Sequence, residues 1–213
     1  MNAGPAGHAG PRATAAAPAA AAATRDPLAD ISTWLRRWSH LIAPGGTVLD
    51  VACGRGRHMR WFAARGHPVL GVDRDPEALG AAAGFGEVRC ADIEAGPWPF
   101  PGRRFAAVVV VNYLWRPLWP VLTDSVAPGG VLIAETFADG QQAIGRPSRA
   151  DFLLQPGELL AVCRELRVVA YEDGYEPGAD GRPLRFVQRI AARRAMPAAE
   201  PASGSSALSA PLE

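Results

Sequence analysis

Thr47-Val48-Leu49-Asp50-Val51-Ala52-Cys53-Gly54-Arg55-Gly56-Arg57-His58 is the stretch from which the rest of the chain is read. Apolar or β-branched residues lead to a carboxylate, a small-residue turn with two glycines follows, and a helical pattern starts behind it. Such an order predicts a buried strand, a tight turn and a helix start. Glycine lets a ligand approach the backbone closely, and the free N–H groups of a helix start favour an anionic group there. A second apolar run, Pro68-Val69-Leu70-Gly71-Val72, also stops at a carboxylate, Asp73, which lies 23 residues after Asp50. An acid at the end of a second strand is where an α/β nucleotide site holds ribose hydroxyls.

Outward from this centre the pattern alternates. Ahead of it, Ile31, Trp34, Leu35, Trp38, Leu41 and Ile42 recur at helical spacing until Pro44-Gly45-Gly46 ends the run. Behind it, Met59, Phe62 and Ala63 form one stripe, with Gly66 placed as the residue that closes the helix. Asp75-Pro76-Glu77-Ala78-Leu79 carries the start signals of the next helix: a capping acid, proline at the first position and an acid in the first turn. Glu87 to Cys90 reads as a short third strand, while Ala106 to Val111 and Gly130 to Phe137 read as central parallel strands covered on both faces. The alternation predicts a doubly wound α/β sheet. Its end departs from that rule. After a helix over Pro156 to Cys163, the runs Leu166 to Tyr171 and Arg185 to Ala192 are separated only by Glu172 to Leu184, which glycine and proline interrupt. The last two strands are therefore expected to pair antiparallel, as a hairpin.

The totals bound the function. At 213 residues with 48% hydrophobic composition, the chain fits one domain with a real core, placed here at residues 26–194. Residues 1–25 and 195–213, rich in Ala, Pro and Gly or Ser, are expected to be disordered tails. Prolines at 5, 11 and 18 and the absence of early Lys or Arg argue against a secretory signal. An organellar transit peptide is the alternative, since the tail carries Arg12 and Arg25 and no acid before Asp26. A cytoplasmic protein is the reading adopted. A net charge of +1 favours neither a nucleic-acid nor a membrane-surface partner, and no apolar run approaches a membrane span. Cys53, Cys90 and Cys163 follow no metal spacing and read as free thiols, so no metal site is expected.

With these residues in place, the sequence resembles the class I S-adenosylmethionine (SAM)-dependent methyltransferases. Asp50 to Gly56 looks like their motif I, D-x-G-x-G-x-G, with Ala52 in place of the first glycine. Val72-Asp73 resembles motif II, Cys90-Ala91-Asp92-Ile93 the acidic segment after the third strand, and Val111-Asn112-Tyr113 the position of motif IV. Ala127-Pro128-Gly129-Gly130-Val131-Leu132 is similar to the turn into the fifth strand. The likeness runs in order from about Thr33 to Arg194 and implies a Rossmann-like, seven-stranded, mostly parallel sheet with the C-terminal hairpin. The turn tolerates Ala52 if its φ there is negative.

The resemblance also implies roles. Ala52, Gly54 and Gly56 would line the methionine end of SAM, and Asp50 would hold its amino group or order the loop. Asp73 would accept from both ribose hydroxyls, Arg74 would lie along the adenine, Asp92 would accept from its amine, and Ile93 would pack on the ring. Asn112 and Tyr113 would lie near the transferring methyl, and S-adenosylhomocysteine would be the product. The helix holding Trp34 would cap the cofactor side. Phe152 to Leu159, Val169 to Asp173 and Leu184-Arg185-Phe186 resemble the tail of the tellurite-resistance (TehB-like) methyltransferases. That likeness implies a small acceptor, anionic or soft (sulfur, selenium, tellurium), with Arg185 as a substrate contact.

The chemistry needs little more than placement. A thiolate or a reduced metalloid oxyanion needs little or no general base, whereas an alcohol or amide needs one. The residues offer no clear base: His58 is expected on the exposed side of its helix, and Glu135 is left open. The connection from Ala138 to Gln155 is long enough for a lid. It carries Gln141, Gln142, Arg146 and Arg149, and with Arg116, Arg182 and Arg185 it would suit an anion if those arginines converge. Catalytic candidates are therefore Asn112, Tyr113, Arg116 and Arg185. Two other readings stand beside this one. An NAD(P)-dependent oxidoreductase would need glycine where Met59 stands, and a non-catalytic SAM-binding module would keep every motif above. The acceptor atom and the oligomeric state are left open by the sequence.

Overall fold

The apolar runs become the inner strands of one sheet. The structure is a computed structural model that describes residues 31–178 and 180–197. The expected tails lie outside the described residues, apart from 195–197. In chain order the strands are β1 (Val48–Val51), β2 (Val69–Asp73), β3 (Glu87–Cys90), β4 (Phe105–Val111), β5 (Val126–Phe137), β6 (Arg167–Pro177) and β7 (Pro183–Arg193). They form a seven-stranded sheet in the order β3-β2-β1-β4-β5-β7-β6. All neighbours from β3 to β5 are parallel, whereas β7 runs antiparallel to both β5 and β6. The order reverses beside β1, whose neighbours are β2 and β4. A crevice opens at the carboxyl ends of strands at such a reversal.

Alternate residues of each strand feed opposite faces. Leu49, Leu70, Val108, Val110 and Leu132 pack on one side with Trp119 and Leu122 of α4 (Trp119–Asp124) and Leu159 of α5 (Glu158–Val162). Val48, Val69, Val109 and Ile133 pack on the other with α1 (Thr33–Trp38), α2 (Arg57–Ala63) and α3 (Pro76–Ala82). Each helix is at most seven residues long, well under the roughly 12–15 an isolated helix needs, so sheet packing holds them. Asp75 caps α3 as expected, accepting from the N–H groups of Glu77 and Ala78, with Pro76 next.

Three expectations change. The leading helical pattern splits into α1 and a 3-10 turn over Ser39–Leu41. It does not cap the cofactor side: the Trp34 indole donates to the Ile190 carbonyl on β7 at 3.2 Å, and Ser32 donates to Glu135 on β5. The tryptophan is packing, over the other half of the sheet. The segment from Glu172 to Leu184 is not a loop but mostly strand, because Glu172 pairs with Arg189, Glu176 with Arg185 and Tyr175 with Phe186 across β6 and β7. Cross-strand pairs of opposite charge and of aromatic rings outweigh scattered strand breakers.

Candidate functional site

The crevice at the reversal is built from the ends of β1, β2 and β4. β1 is buried throughout and hands the chain to a turn in which Ala52, Gly54 and Gly56 all have positive φ, at 53°, 52° and 77°. Ala52 thus adopts the left-handed conformation, contrary to the negative φ on which its tolerance was premised. For a residue with a Cβ this costs roughly 1–2 kcal/mol. The glycines differ. A Cβ on Gly54 would meet nothing within 4 Å, so this residue faces open space, whereas one on Gly56 would strike Ala82 at 2.9 Å. Gly56 is buried against α3.

Asp73, at the end of β2, already holds this turn. Its Oδ2 accepts from the Gly54 N–H at 2.8 Å and its Oδ1 from the Asp75 N–H at 3.0 Å. Each oxygen keeps a lone pair for a further donor, and only a carboxylate offers two such acceptors side by side. Asp92 lies after β3, and its Oδ1 accepts from the N–H groups of Glu94 and Ala95. Those two bonds hold its carboxyl below the usual range, so it stays ionised.

Two adjoining cavities open here and share Ala52 as a wall. One, of about 200 Å³, is lined by Ala52, Asp73, Arg74, Asp92, Glu94 and Tyr113, with Ala91 and Ile93 completing it. The other, of about 280 Å³, is lined by Gly54, Arg55, Arg57, His58, Val111 and Asn112 beside Ala52 and Cys53. The first is acidic and the second basic at its mouth. A larger cavity, of about 460 Å³, lies between α4 and α5 and touches none of these residues. The turn and strand ends decide the site, and its size does not.

Of the residues expected in the site, Ala52, Gly54, Asp73, Arg74, Asp92, Ile93 and Asn112 are brought together around these cavities. Tyr113 lines the Asp73 cavity, on the opposite side of the shared wall from Asn112. Burial, then the facing Glu94 carboxylate, pushes its phenol well above the ordinary value. Asn112 takes a positive φ of 57°, which asparagine tolerates, and its N–H donates to the Glu135 carbonyl. Asp50 is buried beneath the turn, with its Oδ1 3.7 Å from His58 Nδ1. His58 is therefore not exposed, as its helix position suggested: it points inward from α2 toward Asp50 and is 3% accessible. Cys53 beside them is also inert. Desolvation first, then Asp50 and Asp73, push its thiol up to about 12.

The arginines do not converge on the crevice. Arg116 is a brace. It gives two bonds to the Glu158 carboxylate, at 2.8 and 2.9 Å, one to the Asp151 carbonyl at 2.9 Å and one to the Leu153 carbonyl at 2.8 Å. Arg185 bonds Glu176 and approaches Glu135 at 3.1 Å. Arg189, which drew no attention in the sequence, bonds the same Glu135 at 2.7 Å and reaches Glu172 and Glu176. Glu135, open in the sequence, is thus a buried counterion. Its register partner Arg189 was findable only by aligning the hairpin on β5. The connection after β5 is also tied down. Ala138 bridges to Leu154, and the Gln141 amide accepts from the Phe186 N–H and donates to the Arg146 carbonyl. Glu94 was the other residue missed. It lines the acidic cavity, and an exposed loop acid leaves no signal in sequence.

Residues 48–130 match a protein family described as a methyltransferase domain. Among curated proteins, the chain is 36% identical over 104 residues to the ribosomal protein L11 methyltransferase of Burkholderia vietnamiensis, covering 46% of this chain and 33% of that one. It thus spans about a third of the length of these relatives. Among solved structures, TehB from Haemophilus influenzae superposes with a TM-score of 0.62 at 17% identity, over 77% of this chain and 62% of TehB. An S-adenosylmethionine dependent methyltransferase from Mesorhizobium loti superposes with the same TM-score at 18% identity, over 78% of this chain and all of that one. The chain carries the fold of class I SAM-dependent methyltransferases, TehB among them.

Proposed function

We propose, from that fold as premise, that this protein is a SAM-dependent methyltransferase acting on a small acceptor with a soft nucleophile. The observation that carries the cofactor is the pair of adjoining cavities on either side of Ala52, with the Asp73 carboxylate in one and the basic mouth of the turn in the other. The residues fit the group. Asp73 retains two acceptor positions for a ribose diol, Asp92 has an ionised oxygen for an exocyclic amine, and Gly54 leaves room for the amino-acid end. The acids Asp73, Asp92 and Glu94 against the single cation Arg74 disfavour a phosphate in that cavity, which speaks against a dinucleotide.

SAM, when bound, supplies an electrophilic methyl on a sulfonium. The protein's own part is to hold, orient and exclude water. Asp73 holds the sugar and the turn with one carboxylate. Asn112, with its backbone tied to β5, stands at the strand end where the acceptor approaches. A soft acceptor fits because its proton is lost to water without help. The buried His58 and Glu135 are engaged or enclosed, and Tyr113 is held protonated. Of the cations expected to serve an anionic acceptor, Arg116 and Arg185 are neutralised by Glu158, Glu176 and Glu135. The same reading places the protein in the cytoplasm, where Cys53, Cys90 and Cys163, all unpaired, stay reduced. No helix among the described residues is long and apolar enough to cross a membrane.

The test is thermal unfolding with S-adenosylhomocysteine and, separately, NAD, followed by turnover assays. Ligand at about a hundred times its dissociation constant adds roughly 2.7 kcal/mol of stability, a clear shift in midpoint. A shift with S-adenosylhomocysteine alone, followed by methylation of thiols, is the expected result. A shift with NAD alone would end the reading. Turnover of ribosomal protein L11 with none on any small thiol would keep the cofactor and replace the acceptor.

A further inference from the structure

Asp50 Oδ2 and His58 Nε2 are buried, and neither has a hydrogen-bond partner among the described residues. The two side chains belong together: their other atoms, Oδ1 and Nδ1, face one another at 3.7 Å, beyond a direct hydrogen bond. Asp50 stands in β1, and the turn of positive φ carries the chain back so that His58, the second residue of α2, points inward at it. His58 also lines the cavity it shares with Gly54, Arg55, Arg57 and Asn112. Buried polar atoms are nearly always paired, so two orphans in one ion pair at a cavity wall ask what completes them.

The chemistry of the pair narrows the answer. An ionised carboxylate only accepts hydrogen bonds, so the ring nitrogen turned toward Asp50 is the one that carries a proton. In the neutral imidazole the other nitrogen, Nε2, is then an acceptor. Both orphaned atoms therefore call for a donor. An ammonium brings three N–H groups, whereas a carboxylate brings none. The cationic side chains at the mouth of the same cavity, Arg55 and Arg57, suit the carboxylate of an amino-acid group, and the two inner acceptors suit its ammonium.

We propose, in a step that rests on the methyltransferase reading and deepens it, that His58 accepts a hydrogen bond at Nε2 from the α-ammonium of the cofactor, beside Asp50. The resemblance offers that ammonium to Asp50 and gives His58 no part. A sign of pH dependence follows. When the ring charges, Nε2 gains a proton and opposes the ammonium, donor against donor and cation against cation. The other charged or titratable groups around the ring are Asp50 on β1, the Cys53 thiol in the turn and Arg55 and Arg57 at the mouth. Asp73 at the end of β2 acts on Cys53, and Arg60 on α2 lies over the Phe85 ring.

The experiment is calorimetric titration of the full chain with three ligands: S-adenosylhomocysteine, its analogue lacking only the carboxylate, and its analogue lacking only the amine. His58→Leu is expected to weaken the two amine-bearing ligands about tenfold or more and to leave the third unchanged. His58→Gln, which restores an acceptor oxygen near the place of Nε2, is expected to recover most of that loss. In the unsubstituted chain, affinity for S-adenosylhomocysteine is expected to fall about fivefold or more from about pH 8 to about pH 5.5, the range in which an imidazole ordinarily charges, while the analogue without the amine stays level. Equal losses for all three ligands, a loss that follows the carboxylate, or tighter binding at acid pH overturns the inference. A variant that loses stability yet keeps every affinity overturns it too, and assigns the pair to a buried water. In each of these cases S-adenosylhomocysteine still binds, and the cofactor assignment stands. Failure of S-adenosylhomocysteine to bind at any pH removes the cofactor assignment, and the part given to His58 with it.

Discussion

The two halves of the sheet treat charge in opposite ways. On the side of β1 to β3, carboxylates are left with capacity to spare: Asp73 holds one backbone N–H per oxygen and Asp92 uses one oxygen only. On the side of β5 to β7, Glu135, Glu172, Glu176, Arg185 and Arg189 close on one another and leave little for a visitor. On the function proposed above, the first half receives a polar ligand. The second is arranged to be finished without one. A charged residue near a cleft is therefore no sign of a charged ligand until its partners are counted.

The sharpest way to break this comparison is Glu135→Ala. It leaves Arg189, 9% accessible in its side chain, without its inner counterion, and a loss of about 3–5 kcal/mol in denaturant unfolding is expected. A loss under 1 kcal/mol would mean the network is no more than a surface arrangement. Asp73→Ala on the other half should show the converse: S-adenosylhomocysteine affinity falls by about a hundredfold or more, as expected when two charge-assisted acceptors are lost together. Retained affinity in a titration would remove Asp73 from the site.

These two acids were unequally legible. Asp73 announces itself because the residues around it, from Asp50 to Asp73, are contiguous in the chain, so a shared ligand leaves a local pattern. Glu135 and its partners are assembled from three strands across 9 to 54 residues of separation, and only the pairing of those strands brings them together. The same reason explains Arg116, whose spacing suggested substrate and whose geometry shows a brace. His58 was misread because an exposed helix face was assumed where the first turn in fact tucks under β1. The alternation of strands and helices and the antiparallel terminal pair were readable, since periodicity and breaker spacing are local; the extension of that pair through Glu172–Pro177 was not.

Smaller effects refine the contrast. Arg116→Ala should cost about 1–2 kcal/mol, reduced because the guanidinium is 39% exposed, and should loosen residues 151–153 in hydrogen exchange. Ala52→Gly relieves the positive φ and should stabilise by about 0.5–1 kcal/mol in denaturant unfolding. At neutral pH the buried thiols have no effect at all. Cys53 and Cys163 have folded values near 12 against 9 when unfolded, so the unfolded chain loses these protons first. Stability is expected to fall as pH rises from about 9 toward about 12. Alkylation of the native protein at pH 8.5 should mark Cys90, which is exposed, and spare the other two, as mass spectrometry would show.

The closed circuit of glutamates and arginines behind β5 has a meaning for how such a protein can change. Tyr175 packs on Phe186 and Phe152 on Arg149, but because that circuit ties the strands of the edge together, little structural duty falls on the side chains exposed at positions 115, 144 and 184. Exchanging them one at a time should be close to neutral for folding, within about 0.5 kcal/mol each. The surface of that edge could then drift through single steps on a fixed frame, without passing through an unfolded ancestor.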